Sequence, residues 1–199
     1  MKKYINTPTL LTLTRLVVAP LVLPGLLVVL LPYHALFINA FLAILFVLFG
    51  LTDFFDGYLA RRRNQVSDLG GALDHIADKF LIFSTLIGLL AADKIHFFWV
   101  ILFIGRDFFV MGLRLIALEH AFSVPVDYIG KVKTAFQMML ITWLILNPYQ
   151  LQVDHASIWH TIELGLLSVS IVLTILSGYQ YYRSFMRQFM QHDQARITE

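Results

Sequence analysis

The sequence of 199 residues contains no cysteine and few charged residues. Without cysteine there can be no disulfide, thiolate metal site or cysteine nucleophile. Charged residues make up 14% of the chain and hydrophobic residues 58%, whereas soluble domains carry roughly 25% charged residues. The net charge of +2, without a basic run among aromatics, argues against nucleic acid as a partner. We therefore expect one all-α membrane domain over residues 1–199, because a spanning helix satisfies its own backbone hydrogen bonds.

Six apolar segments come close to the length of about 20 residues that a spanning helix needs. They cover residues 9–31, 36–60, 71–92, 97–119, 132–147 and 157–182. The first is too long for the apolar core of a signal peptide, so we interpret it as a retained span. Between the spans, basic residues fall almost entirely on one side, whereas the other side holds only Lys94. The majority side has Lys2, Lys3, Arg61, Arg62, Arg63, Lys131, Lys133, Arg183, Arg187 and Arg196. This asymmetry predicts six transmembrane helices with both termini cytoplasmic.

Four aspartates stand inside apolar sequence around the turn between the second and third spans. Asp53 and Asp56 are spaced i, i+3, and Asp74 and Asp78 are spaced i, i+4, so each pair shares one helix face. Each pair also lies at a similar distance from the predicted turn at 61–70. In an antiparallel hairpin, equal distances from the turn mean equal depth, so the four carboxylates are expected to converge.

Four converging carboxylates need compensation by protons or cations. Two unit charges about 4 Å apart repel by about 4 kcal/mol at an effective dielectric near 20. Oxygen ligands alone suit magnesium, manganese or calcium, and two divalent ions would balance four carboxylates. Gly57, Gly70 and Gly71 would let a ligand approach the backbone, and Arg61 could pair with a phosphate. A proton or cation pathway in a transporter, or a structural role, remains an alternative at this point.

The spacing of this stretch reads D-x2-D-G-x2-A-R-x8-G-x3-D-x3-D. Its positions are filled by Asp53, Asp56, Gly57, Ala60, Arg61, Gly70, Asp74 and Asp78. It resembles the complete signature of the CDP-alcohol phosphatidyltransferase family. Four further stretches, 6–15, 73–79, 105–115 and 128–138, resemble the branch of that family that makes phosphatidylglycerophosphate.

The resemblance implies a transferase that moves a phosphatidyl group from CDP-diacylglycerol to glycerol 3-phosphate and releases CMP. It implies two divalent cations, magnesium or manganese, held by Asp53, Asp56, Asp74 and Asp78. Asp56, Gly57, Ala60, Arg61 and Asp74 would line the CDP moiety, and Asp78 would be the general base. A cytoplasm-facing polar cavity, a bacterial inner membrane and a homodimer are further expectations. Another acceptor (inositol phosphate, serine or phosphatidylglycerol) and a cation transporter remain the alternatives.

A basic site is expected for the acceptor, because glycerol 3-phosphate is a small dianion. The candidates are Arg106 and Arg114 in the fourth span and Lys131 and Lys133 at the start of the fifth. Intramembrane arginines require a partner or a cavity, and Asp107 offers Arg114 an alternative partner seven residues away. The two lysines could also serve only the charge asymmetry of the loops.

The first span offers two further candidates, Asn6 and Arg15. Either could contact the nucleotide or the acceptor.

Overall fold

The computed structural model describes residues 20–62, 68–120, 122, 124, 128–148 and 158–197. For residues 52–62, 68–78 and 192–197 it describes the helix backbone alone. The chain is helical from residue 20 to residue 30 (α1), and a 3-10 turn, Leu31–Tyr33, follows. Five longer helices complete the fold: α2 (Leu36–Arg62), α3 (Asp68–Ala91), α4 (Phe97–Glu119), α5 (Tyr128–Leu146) and α6 (Ile158–Ile197).

These six helices confirm the prediction of an all-α protein, and the described ranges contain no strand. The bounds of α4 coincide with those of the fourth predicted span, and α5 begins four residues before the fifth predicted span. The loop predicted at 61–70 includes residues that are helical in the structure, since α2 continues to Arg62 and α3 begins at Asp68. The sixth span was predicted to end at 182, but α6 continues to Ile197, since no proline or glycine follows Gly178.

Helix α3 ends in a Schellman motif. The Lys94 N–H donates to the carbonyl of Leu89 at 2.9 Å, and the Asp93 N–H donates to that of Leu90 at 3.1 Å. Asp93 has a φ of 54°, a left-handed conformation that Asp and Asn adopt more readily than most residues. The motif satisfies carbonyls at the end of α3 and ends the helix.

One compact unit comprises Met1–His96 together with Ile141–His155. Within it α2 packs against α3. Helix α1 approaches α3 closely at Gly88, where an added Cβ would lie 3.0 Å from both Cα and Cβ of Pro24. Leu27, Phe46 and Leu86 are fully buried in this unit.

The second unit comprises Phe97–Leu140 and Ala156–Glu199, so α5 contributes residues to both units. Within it α4 packs against α6. Phe185 of α6 stacks on Phe189, with ring centroids 5.7 Å apart, and lies 5.6 Å from the ring of Phe122. This aromatic cluster closes the end of the unit that contains the C-terminus of α4.

Several helices in the described part of the chain are strongly apolar. Two have the length and hydropathy of a membrane span, Tyr128–Leu146 and Ile158–Gln191. Three shorter apolar helical stretches are Pro20–Tyr33, Leu36–Leu51 and Lys79–Ala91. Helix α4 is also long enough to span, but Arg106, Asp107 and Arg114 lie within it.

Candidate functional site

The four aspartates of the signature lie on two packed helices. Asp53 and Asp56 belong to α2, and Asp74 and Asp78 belong to α3. Their i, i+3 and i, i+4 spacings are therefore spacings along helices, as predicted. Their side chains lie outside the described residues, as do those of Gly57, Ala60 and Arg61 in the same signature. Their roles remain predictions.

A buried ion cluster joins α4 to α5 in the second unit. The Lys133 Nζ donates to both carboxylate oxygens of Asp107 at 2.9 Å. The Arg106 Nη1 donates to the Asp107 Oδ1, also at 2.9 Å. Side-chain exposure is 0% for Lys133, 1% for Asp107 and 13% for Arg106. The structure thus brings together two of the predicted acceptor residues, Arg106 and Lys133, around one carboxylate.

Lys133 is the least expected member of this cluster. The sequence placed it at a membrane boundary, where a lysine ordinarily reaches water. In the structure α5 begins at Tyr128, so Lys133 lies more than one turn inside the helix. It shares a buried face with Gln137 and Leu140, at i+4 and i+7. A role limited to loop charge asymmetry therefore does not account for Lys133.

The Arg106 side chain lies between two glycines of neighbouring helices. An added Cβ at Gly178 of α6 would lie 3.4 Å from the Arg106 Cγ, and one at Gly130 of α5 would lie 3.8 Å from its Nη2. The Arg106 Nε is enclosed and has no hydrogen-bond partner among the described residues. An enclosed N–H without an acceptor costs about 1–3 kcal/mol, which makes Arg106 a candidate for contact with a ligand.

The other two acceptor candidates are more accessible. Arg114 lies two turns after Arg106 on α4 and is half-buried. Lys131 is exposed on the first turn of α5. The predicted alternative made Asp107 a partner of Arg114, whereas the two short contacts described above come from Lys133 and Arg106. For Arg114 and Lys131 the phosphate role stays a prediction.

The interior of the second unit also contains neutral polar residues that the sequence analysis did not select. Gln137 is fully buried, and neither of its amide atoms has a hydrogen-bond partner within the described residues. Ser170, Thr174 and Ser177 form a buried stripe on α6 at i, i+4 and i+7. A glutamine within an apolar span and the helical spacing of the hydroxyl residues could have indicated these positions from the sequence.

A second buried lysine lies in the first unit. Lys94 is 3% exposed, and its Nζ donates to the carbonyl of Asn147 at 2.7 Å. The Asn39 Nδ2 donates to the same carbonyl at 3.2 Å. A cation at the C-terminal end of α5 is favoured by the helix dipole. Lys94, which the sequence analysis used only to assign orientation, is thus a helix-capping residue.

The two candidates on the first span, Asn6 and Arg15, lie outside the described residues. No role for them follows from the structure.

Aspartates and an enclosed cationic cluster within apolar helices are features that ordinarily mark a functional site. The sequence profile of the CDP-alcohol phosphatidyltransferases matches residues 5–177. The chain belongs to the CDP-alcohol phosphatidyltransferase family. This family generally depends on divalent metal ions.

Similar proteins in bacteria extend this comparison over nearly the whole chain. A CDP-diacylglycerol–glycerol-3-phosphate 3-phosphatidyltransferase from Rickettsia felis is 36% identical over 189 residues, which cover 92% of this chain and 97% of the relative. A protein of the same name from Salmonella choleraesuis is 37% identical over 182 residues, covering 88% of this chain and 92% of the relative. The similarity therefore includes both units.

Proposed function

We propose that this protein transfers the phosphatidyl group of CDP-diacylglycerol to glycerol 3-phosphate, giving phosphatidylglycerophosphate and CMP. The observation that carries the proposal is the complete eight-residue signature, whose aspartates lie at helical spacing on α2 and α3. The names of the relatives in Rickettsia and Salmonella support the choice of donor and acceptor.

The donor set of the signature fits a pair of divalent cations. Four carboxylates without histidine or cysteine suit hard ions such as magnesium or manganese. Asp53, Asp56, Asp74 and Asp78 would hold them. The ions, when bound, would neutralise phosphate charge and stabilise the charge that develops on the departing CMP.

The remaining signature residues would bind the CDP moiety of the donor. Gly57 and Ala60 have little or no side chain on one stretch of α2, which would allow a nucleotide to approach the helix. Arg61, one position further, would pair with a phosphate oxygen. Asp56 and Asp74 would contribute to the same binding surface.

Asp78 would act as the general base. Its carboxylate would accept the proton of the acceptor hydroxyl while that oxygen attacks the phosphorus that carries the diacylglycerol. The bond from this phosphorus to the CMP oxygen breaks, and CMP leaves with the electron pair. The protein supplies positioning and electrostatic stabilisation in this step, and no covalent intermediate is required.

The cations of the second unit would bind the phosphate of the acceptor. Arg106 is best placed for this role, since its side chain is 13% exposed and its enclosed Nε has no protein partner among the described residues. Lys133, which is buried, would contribute its positive charge from the protein interior. Arg114 and Lys131 are the more accessible candidates. Arginine is well suited to phosphate because its N–H groups match two oxygens at once.

We further propose that six helices span the bacterial inner membrane, with both termini and the catalytic residues on the cytoplasmic side. Large apolar side chains on the helix surfaces support a location in a bilayer, for example Phe37 at 86% and Leu118 at 65% exposure. Such surfaces are costly in water and are covered by lipid in a bilayer. A homodimer remains an expectation from the family resemblance.

The proposal is tested with purified protein, CDP-diacylglycerol, glycerol 3-phosphate and magnesium, with CMP release as the readout. We expect release only when donor, acceptor and metal are all present. Inositol phosphate, serine and phosphatidylglycerol are offered in parallel, and faster release with any of them would reassign the acceptor. Cation flux across sealed vesicles without nucleotide lipid would instead indicate a transporter.

The general-base assignment is tested by Asp78→Asn. We expect this variant to bind the donor without releasing CMP. Asp93→Asn is the matched control, because Asp93 is exposed and asparagine tolerates its left-handed backbone. Full activity of Asp78→Asn would remove the assignment.

A further inference from the structure

Asp107 binds two cations that come from different helices. Its Oδ1 accepts hydrogen bonds from both Lys133 and Arg106, and its Oδ2 accepts a second one from Lys133. The three side chains carry two positive charges and one negative charge. Since Asp107 and Lys133 are almost fully enclosed, their charges are weakly screened by water.

The contact between Arg106 and Asp107 is unusual for neighbours on a helix. Side chains at i and i+1 point about 100° apart, so they do not ordinarily meet. Here the Arg106 guanidinium reaches the Asp107 Oδ1 at 2.9 Å. Gly178 and Gly130 flank the Arg106 side chain, where a larger residue would crowd it. The position of the guanidinium is thus set by three helices and one carboxylate.

The Asp107 carboxylate accepts a hydrogen bond from only one nitrogen of the Arg106 guanidinium. Asp107 takes Nη1, whereas Nε has no hydrogen-bond acceptor among the described residues. Nε and Nη2 form the side of a guanidinium that matches two oxygens of a phosphate. An anion that enters beside Arg106 would supply the missing acceptor.

We infer that Asp107 is a positioning residue for the acceptor phosphate: it holds Nη1 of Arg106 and the ammonium of Lys133, and so directs the Nε side of Arg106 to the phosphate. The inference rests on the proposed function and deepens it, since Asp107 acts through Arg106 without touching substrate. A carboxylate near an anion site would be unfavourable unless it organised the cations around it.

Two variants test this role. Asp107→Asn keeps the shape and one acceptor oxygen but removes the negative charge that holds both cations. Arg106→Lys keeps the positive charge but cannot donate to two phosphate oxygens from one planar group. For each we expect the KM for glycerol 3-phosphate to rise roughly 10- to 100-fold, the range for a lost hydrogen bond to a charged group. The KM for CDP-diacylglycerol should change less than about threefold. Asp93→Asn and Arg187→Lys, at exposed positions, are the matched controls.

A purely structural role predicts a different pattern. If Asp107 only neutralised Lys133, the variant would lose active protein, so kcat would fall while both KM values stayed unchanged. That result, or an unchanged acceptor KM in Arg106→Lys, overturns the inference. Should Asp107→Asn not be recovered as folded protein, Arg106→Lys decides by the same criterion.

Binding of inorganic phosphate separates this inference from the proposed function. We expect millimolar phosphate, against chloride at equal ionic strength, to raise the melting temperature of the unmodified protein, and both variants to lose that response. An unmodified protein that responds to phosphate but releases no CMP would contradict the proposed function. Loss of that response in both variants would still show that Asp107 positions the cations of a phosphate site. An active enzyme whose variants keep both the phosphate response and the acceptor KM would refute the inference alone.

Discussion

Replacing Lys133 by methionine should destabilise the protein strongly, because it removes the cation that makes two contacts with a buried carboxylate. The Lys133 Nζ lies 2.9 Å from each oxygen of Asp107, and both side chains are at most 1% exposed. At an effective dielectric near 20, one charge pair at that distance of 2.9 Å attracts by about 6 kcal/mol before desolvation is counted. Breaking a buried pair from one side costs roughly 3–5 kcal/mol. Arg106 remains as a partner of Asp107, so we expect about 3 kcal/mol, the lower end of that range.

The assay is thermal unfolding of purified protein in detergent. For a chain of this size, about 3 kcal/mol corresponds to a decrease of about 6–12 °C in melting temperature. Lys131→Met is the matched control, two residues earlier on α5 and exposed, and should stay within about 2 °C of the unmodified protein. Equal melting temperatures for the two methionine variants would refute the claim that the Lys133–Asp107 pair stabilises the interior.

Two further predictions concern other buried positions. Gly88→Ala should lower the free energy of unfolding by about 1–3 kcal/mol, because its Cβ would meet backbone of Pro24 at 3.0 Å. The control Gly165→Ala, whose Cβ would meet nothing within 4 Å, should stabilise the protein slightly. A lower melting temperature for Gly165→Ala than for Gly88→Ala would contradict the packing of α1 on α3. Gln137→Met should raise the melting temperature, since both amide atoms of this buried residue lack partners in the described structure. A clear decrease in melting temperature would show that the amide makes a stabilising hydrogen bond.

The helices could be predicted from the sequence because their signals are local. Runs of apolar residues and the polar breaks between them gave α4 its observed bounds and placed the starts of α2, α5 and α6 within four residues. The ends of α2 to α5 were predicted within two residues, whereas that of α6 was not. Arginine is a good helix former, so α2 continues two residues into the predicted polar loop, to Arg62. Likewise α6 continues to Ile197, since loss of hydrophobicity alone does not end a helix.

The candidate site was predictable only where its residues are close in sequence. The aspartate signature spans 53–78; its spacing predicted a divalent-cation site, and its resemblance to the family signature implied the transfer reaction. The ion cluster joins Lys133 to Asp107 across 26 positions, and no periodicity indicates which acid a lysine will meet. The sequence suggested Arg114 as the partner of Asp107 because their spacing lies along one helix. The structure brings Lys133 of α5 to that carboxylate, a contact that the sequence did not suggest.

The central claim is transfer of a phosphatidyl group to glycerol 3-phosphate, and the lipid product tests it most directly. The protein is incubated with CDP-diacylglycerol, carbon-13-labelled glycerol 3-phosphate and magnesium, and the lipids are analysed by mass spectrometry. We predict labelled phosphatidylglycerophosphate in amounts equal to the CMP released, and neither product once a chelator removes the metal. Release of CMP with unlabelled phosphatidic acid as the lipid product would show transfer to water and contradict the claim.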